Sequence, residues 1–273
     1  MNPGPPSGQL RITPRAVLTN CFGAGGQAPL DIVYDAAAIL RISDQPLRLA
    51  IRRLTAAGMI EQVGRGRRGH LRLTNQSLYR NLLDDEYWNF ATRQDRGDEQ
   101  WDRRWRLIAF SIPEARRSDR DALRAVLTRL SAAALAPGLF ASPHDLTTAL
   151  RAELFPRHLD SDLTLATTTS LTHHGTTIER LTTQLWPLDT ISAQYQTLDR
   201  VITHEQRHLG NDTEPAIRLA ARITILTALN AALLPDPLLP AELLPTDWPG
   251  PNARERVRQL EPHLIAAAPT PHP

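Results

Sequence analysis

Two groups of residues in this chain have types and spacings that could do chemistry. His204, Glu205, Gln206, Arg207 and His208 form an H-E-x-x-H string. On a helix the imidazoles at i and i+4 share one face and could chelate zinc, with Glu205 polarising a bound water. A catalytic site of that kind needs a third protein ligand, and the downstream carboxylates Glu214 and Glu242 stand in no helical context that plainly returns to it. Three fixed positions in five arise easily in a polar helix, so a solvated face is the preferred reading and His204 and His208 stay a secondary metal pair. His173 and His174 are adjacent at a strand end, point to different sides if extended, and make a poor chelate. No cofactor is expected.

The second group is the stretch Ile42–Leu73, ISDQPLRLAIRRLTAAGMIEQVGRGRRGHLRL. Ser43 is suited to an N-cap and Pro46 to a first helical turn, and Leu47, Ala50, Ile51 and Leu54 recur at helical spacing to form one buried face. Gln45, Arg48, Arg52 and Arg53 are left on the other. In a major groove, arginine can bind guanine bidentately and glutamine adenine; the bland alternative is a solvated basic face. Gly58 ends the helix. Strands Met59–Val63 and His70–Leu73 then flank a turn carrying Arg65, Arg67 and Arg68, suited to phosphate contact or minor-groove insertion, or simply a loop kept soluble by charge.

Charge agrees with this placement. Residues 1–80 hold 11 arginines against 4 acids, the remainder 20 against 25, and lysine is absent. A basic region joined to an acidic one is the electrostatic footprint of a domain that neutralises phosphates. No run of eighteen apolar residues and no signal-peptide pattern appear, so a cytoplasmic protein with no membrane partner is expected. Cys21 cannot pair within the chain and reads as a buried small hydrophobe.

The elements that position these residues follow in order. Residues 1–10, rich in Pro and Gly, predict a disordered tail. Helices Pro14–Phe22 and Asp31–Leu40 precede the basic helix, completing a helix-turn-helix, and the hairpin makes it winged. A helix is expected from Ser77 to about Thr92, with Leu78, Leu82, Leu83 and Trp88 on or near one face, then a linker, Arg93–Gln100. A strand at Arg106–Ser111, a helix at Ser118–Ala132, a strand at Leu139–Ser142, a helix at Asp145–Leu154 and a strand at Asp162–Thr169 suggest a ferredoxin-like sandwich. Helices then run Ile178–Leu185, Thr190–His208 and Pro215–Leu234, and a last one spans Ala253–Ala266. The expected class is α+β: a winged helix-turn-helix at 11–92, a ferredoxin-like middle domain at 101–172, a helical C-terminal domain at 178–266, and a tail at 267–273.

In this order the chain resembles the PaaX-like regulators, the phenylacetate-catabolon repressor family. The matching strings are RLAIRRLTAAGMIEQVGRGRRGHLRLT, WDRRWRLIAFSIPEARRSDRDALRAVLTRL, LAPGLFASP, LWPLDTISAQYQTL and LPAELLPTDWPG. The resemblance implies a homodimeric transcriptional repressor on a double-stranded DNA operator, released by an aromatic acyl-coenzyme A effector. Departures fall at Ser131–Ala134, where relatives tend to have Leu-Gly-Phe-Gly, and at Ala228–Ala232, where they often carry His, an aromatic and Arg. Both bear on the effector. Trp101, Trp105, Trp186 and Trp248 could stack on an aromatic acyl group, with Arg103, Arg104 or Arg106 on coenzyme phosphates; ordinary interface packing is the alternative. The middle domain also resembles a small CRISPR-associated endonuclease. Its metal-binding acid would fall where this chain has Ser111, Ile112 and Pro113. A scaffold recruited as a metabolite-binding protein or enzyme is the second functional expectation.

Overall fold

A computed structural model describes residues 10–23, 25–64, 66–74, 87–154, 159, 162–210 and 212–265. Residues 1–9 and 267–273 of the expected tails, the part of the expected helix at residues 77–86, and Arg65 lie outside the described residues. The chain mixes helices with small antiparallel sheets, an α+β fold, and divides into two compact units that are both discontinuous in sequence. The first takes Met1–Thr92, Ala193–Leu233 and Pro249–Pro273, and the second Arg93–Ser192 and Leu234–Trp248. Residues 178–266, expected as one helical domain, are therefore shared between the two units.

The first unit begins with α1 (Pro14–Asn20), where the Thr13 hydroxyl accepts from the Ala16 N–H at 3.1 Å and Pro14 occupies the first turn. β1 (Gln27–Pro29) leads into α2 (Leu30–Ile39), which buries Leu30, Val33, Tyr34, Ala36 and Ala37. Arg41, at φ 60, turns the chain while the Ile42 N–H donates back to the Ala37 carbonyl at 2.8 Å. α3 (Asp44–Ala56) follows. Ser43 stands at its N-cap in extended backbone but makes no side-chain cap bond; Asp44 in the first turn complements the helix dipole instead. β2 (Ile60–Val63) and β3 (His70–Leu73) form an antiparallel hairpin, and β1 pairs with the other side of β3, giving the order β1-β3-β2.

β1 was not expected from sequence. Gln27, Ala28 and Pro29 carry no strand pattern, and their register with Arg72, Leu71 and His70 exists only once β3 is in place. Gly69 closes the hairpin: a Cβ there would lie 2.7 Å from the Val63 carbonyl oxygen and 3.3 Å from Leu30 Cδ1. Its own carbonyl accepts from the Leu30 N–H at 2.9 Å, which ties the hairpin to the start of α2.

The core of this unit joins Val17, Leu18, Leu30, Val33, Leu47, Ile51, Ile60 and Leu71 with Ala220 and Ile223 from α8 (Pro215–Leu233). α8 packs against α1 and α2, and α9 (Gly250–Ile265) packs on α8. Among the described residues α8 is the helix long and apolar enough to cross a membrane; half of that window is buried here, as in a core helix. Residues 87–95 are helical, overrunning the expected linker, and Arg258 of α9 lies 5.4 Å over the Trp88 ring.

The second unit is built on β4 (Trp105–Phe110), α4 (Arg117–Arg129), β5 (Ala133–Ala136), β6 (Leu139–Ser142), α5 (Thr147–Leu154) and β7 (Leu163–Thr168). The sheet order is β5-β6-β4-β7 with every neighbour antiparallel, so each β-α-β crossover straddles a strand of the other. β5 is an addition to the expected alternation, as Ala-rich sequence carries no strand signature. Ile108 and Phe140 face α4 and α5 through Leu123, Leu127, Leu150 and Leu154. Trp105 and Ala141 face the opposite core, covered by Ile178, Trp186, Leu188, Leu239 and Leu243. A short hairpin, β8 (Thr172–His173) and β9 (Thr176–Thr177), precedes a 3-10 turn, Ile178–Leu181, and α6 (Thr182–Leu185). α7 (Leu188–Gln206) starts in this unit and belongs to the first from Ala193 onward.

Candidate nucleic-acid interface

α3 presents two faces because 3.6 residues per turn separates Leu47 and Ile51 from the positions between them. Leu47 and Ile51 are 0% and 4% exposed and pack with Ala50 and Leu54 into the core of the first unit. Gln45, Arg48, Leu49, Arg52 and Arg53 are exposed on the opposite face. The β2–β3 hairpin places a 3-10 turn, Gly66–Arg68, in its loop, with Arg67 and Arg68 exposed.

The arginines expected to act alike fall into two groups. Arg48 Nη2 pairs with Asp44 one turn away at 3.2 Å. Arg67 Nη1 reaches Asp35 of α2 at 2.7 Å, its Nη2 lies 4.0 Å from Asp44, and its guanidinium sits 5.3 Å over the Tyr34 ring. Arg67 thus latches the hairpin loop to α2 and the start of α3. Arg72, not expected as part of the site, pairs with Glu61 across the hairpin at 2.8 Å, and that bond holds its proton still more tightly than usual. Arg52, Arg53 and Arg68 have no ion-pair or hydrogen-bond partner among the described residues. The paired side chains remain 44–61% exposed, so water and salt screen these contacts and a phosphate could compete for them.

Sequence reasoning overlooked two kinds of residue here. Asp35 belongs to the neighbourhood only through the fold, and no local signal pairs it with Arg67. Leu49 did carry a signal: it is a large apolar residue in the middle of an otherwise polar face, 45% exposed.

The aromatic set gathers in the second unit, where Trp105 and Trp186 are core, with Trp101 and Trp248 packed at its margin. Trp105 is fully buried, its indole N–H donating to Glu179 at 2.9 Å, and Trp101 meets it edge-on with ring centroids 5.6 Å apart. Trp186 is 5% exposed and donates to the Ser131 carbonyl at 2.8 Å. Trp105 and Trp186 each fill the layer over the β4 face, the packing that stood as the alternative to ligand stacking. Arg106 is engaged by Asp102 through two bonds of 2.8 and 2.7 Å, which hold the Asp102 carboxyl below its ordinary range. Arg104 is exposed and lines a half-open cleft of about 230 Å³ with Ile108, Thr147, Leu150 and Leu165. Arg103 is exposed nearby at φ 58. His144 is half-buried, its Nε2 donating to the Pro237 carbonyl at 3.2 Å, and desolvation pushes its pKa down.

The histidine pairs stay local. His204 lies in the last turn of α7 and His208 in the turn two residues beyond its end, short of the helix expected to reach His208; both are exposed, with ring centroids 4.9 Å apart and Glu205 Oε1 3.5 Å from His204 Nδ1. Among the described residues no group of three His, Cys, Asp or Glu could hold a metal ion. His173 and His174 lie at the β8–β9 turn with centroids 4.0 Å apart. β4 ends at Phe110, and the next carboxylate, Glu114, is bonded to Arg120 at 2.7 Å. Cys21 is buried, as expected, and its thiol is pushed up to about 12 by desolvation.

Known proteins add to this geometry. Residues 98–179 match a family described as the PaaX protein central Cas2-like domain, and residues 186–270 match the PaaX-like protein C-terminal domain. A solved structure of an uncharacterised protein from Mycobacterium tuberculosis is similar in fold, with a TM-score of 0.55 at 21% identity, covering 93% of this chain and 96% of that one. No curated protein matches the chain.

Proposed function

The chain belongs to the PaaX family, a family of transcriptional regulators, and from that premise we propose that it is a cytoplasmic repressor. It binds a palindromic operator as a homodimer through a winged helix-turn-helix spanning α1 to β3, and leaves it when a small aromatic or acyl-coenzyme A-type effector binds. The observation that carries this reading is the outward face of α3, where Gln45, Arg48, Arg52 and Arg53 stand beside a hairpin that adds the exposed Arg68.

The mechanism follows from the chemistry of those groups. α3 lies in the major groove, where an arginine fork matches the guanine O6 and N7 acceptors and Gln45 can bond an adenine edge. Arg68 and whichever of Arg52 and Arg53 misses the bases neutralise phosphates, displacing counterions and making affinity depend on salt. Arg67 is a positioning residue, holding the loop through Asp35. Two heads on a two-fold axis require half-sites one helical turn, or a multiple, apart. An effector that favours the arrangement unable to span that distance shifts the population and lifts repression. Within the second unit, Trp101, Trp248 and Arg104 retain exposed surface for such a ligand.

A fluorescence-anisotropy titration of the full chain against DNA upstream of its own gene and neighbours, at two salt concentrations, tests this. Tight, salt-dependent binding that is lost in Arg52→Ala/Arg53→Ala and weakened by an aromatic acyl-coenzyme A is expected. Binding no tighter than to unrelated DNA at both salts would overturn the regulator reading. Tight binding indifferent to every thioester tried would overturn only the release step.

A further inference from the structure

The outward face of α3 contains one residue that phosphate chemistry does not explain. At about 100° per residue, Leu49 projects some 200° from Leu47, directly opposite the buried stripe. Gln45 and Arg52 lie on one side of it and Arg53 on the other. Single exposed apolar residues are common and need no reason. This one, however, is 45% exposed and holds the central position of a face whose other large side chains, Gln45, Arg48, Arg52 and Arg53, are all polar. A leucine there is poorly matched both to water and to a phosphate backbone.

It is matched to one group in the major groove. Among the base edges, hydrogen-bond donors and acceptors mark adenine, guanine and cytosine, whereas thymine alone presents a methyl group. We propose that Leu49 is a specificity-determining residue that packs on the 5-methyl of a thymine in each half-site, between the bases addressed by Gln45 and by Arg52 or Arg53. This rests on the DNA-binding reading above and goes beyond it by naming an apolar contact and the base that receives it. Gln45 and Leu49 are one turn apart and Arg52 is three residues further on, so the three address neighbouring positions along the groove.

Selection supplies the operator for the test. Duplexes bound by the full chain are selected from a random library, and in the tightest one each thymine is replaced singly by deoxyuridine, which keeps the hydrogen-bonding edge and lacks only the methyl. Affinities are measured for the wild-type protein, Leu49→Ala and Leu49→Gln. In wild type, one thymine per half-site should lose about four-fold in affinity on replacement, the value of one buried methyl. In both variants that same replacement should have no effect, and the salt dependence of binding should match wild type because no phosphate contact is lost. Equal uracil penalties in wild type and variants, or none in wild type, would overturn the proposal while leaving the regulator reading intact. Selection that enriches no sequence would overturn that reading and this proposal with it.

Discussion

Arg67 and Arg68 are neighbours in one exposed loop, yet only Arg68 has a guanidinium without a partner among the described residues. If phosphate contact drives affinity, Arg52→Ala, Arg53→Ala and Arg68→Ala should lower the slope of log affinity against log salt by about one for each side chain on a phosphate. Arg67→Ala should change that slope less, because its charge is already answered by Asp35 at 2.7 Å. It should also cost no more than about 1 kcal/mol of stability, the range of an exposed pair. Anisotropy titrations over a salt series separate the two groups; an Arg67→Ala slope equal to that of Arg68→Ala would show that the latch opens on DNA. Cys21 obeys a different balance. Burial raises its folded pKa from 9.0 to about 12, so the folded protein holds the thiol proton more tightly than the unfolded chain does. Its contribution to stability is complete below about pH 9 and falls as the pH rises towards 12. At pH 8 a thiol reagent should therefore label Cys21 only at the rate of unfolding, and rapid labelling of native protein would contradict that burial.

At the scale of elements, α3 was legible because its whole rationale is local: apolar spacing, a proline in the first turn, and a glycine after the last. The hairpin was legible for the same reason, and its strands fall within a residue of where glycine and alternation placed them. β1 and β5 were not. Gln27–Pro29 and Ala133–Ala136 have no intrinsic strand preference, and each becomes a strand through the backbone groups of a partner already in place. The Arg67–Asp35 contact was hidden likewise, since it joins two elements that only the fold brings together. Gly69 shows how tightly the hairpin is closed. Gly69→Ala would set a methyl 2.7 Å from the Val63 carbonyl oxygen, a distance that backbone cannot relieve without moving β2 away from β3 or the loop away from α2. The variant should melt several degrees lower, and DNA affinity should fall through loss of the Arg68 position. A melting temperature equal to wild type, with Arg68-dependent binding retained, would show the closure to be looser than this geometry implies.

On the scale of the whole molecule, the unit that carries α3 is completed by sequence from the far end of the chain. Pro215–Leu233 reads as an almost uniformly apolar helix, and such a pattern says that a helix is buried without saying against what. It is buried against α1 and α2, with Ile223 fully enclosed beside Ala220 in the core that also holds Leu47 and Ile51. That placement makes the position of α3 depend on α8, although no residue of α8 need touch DNA. Ile223→Ala removes buried methyl and methylene groups from that core and should cost about 2–5 kcal/mol. The loss should appear as faster hydrogen exchange of backbone amides in α1, α2 and α3, with the sheet of the second unit, β4 to β7, unchanged. If the proposed DNA contacts are made, affinity should fall in parallel without a change in salt slope, since Arg52, Arg53 and Arg68 are all retained. Faster exchange confined to α8 and α9, with α1 to α3 fully protected, would mean that the head holds its own core and that the C-terminal helix merely rests on it.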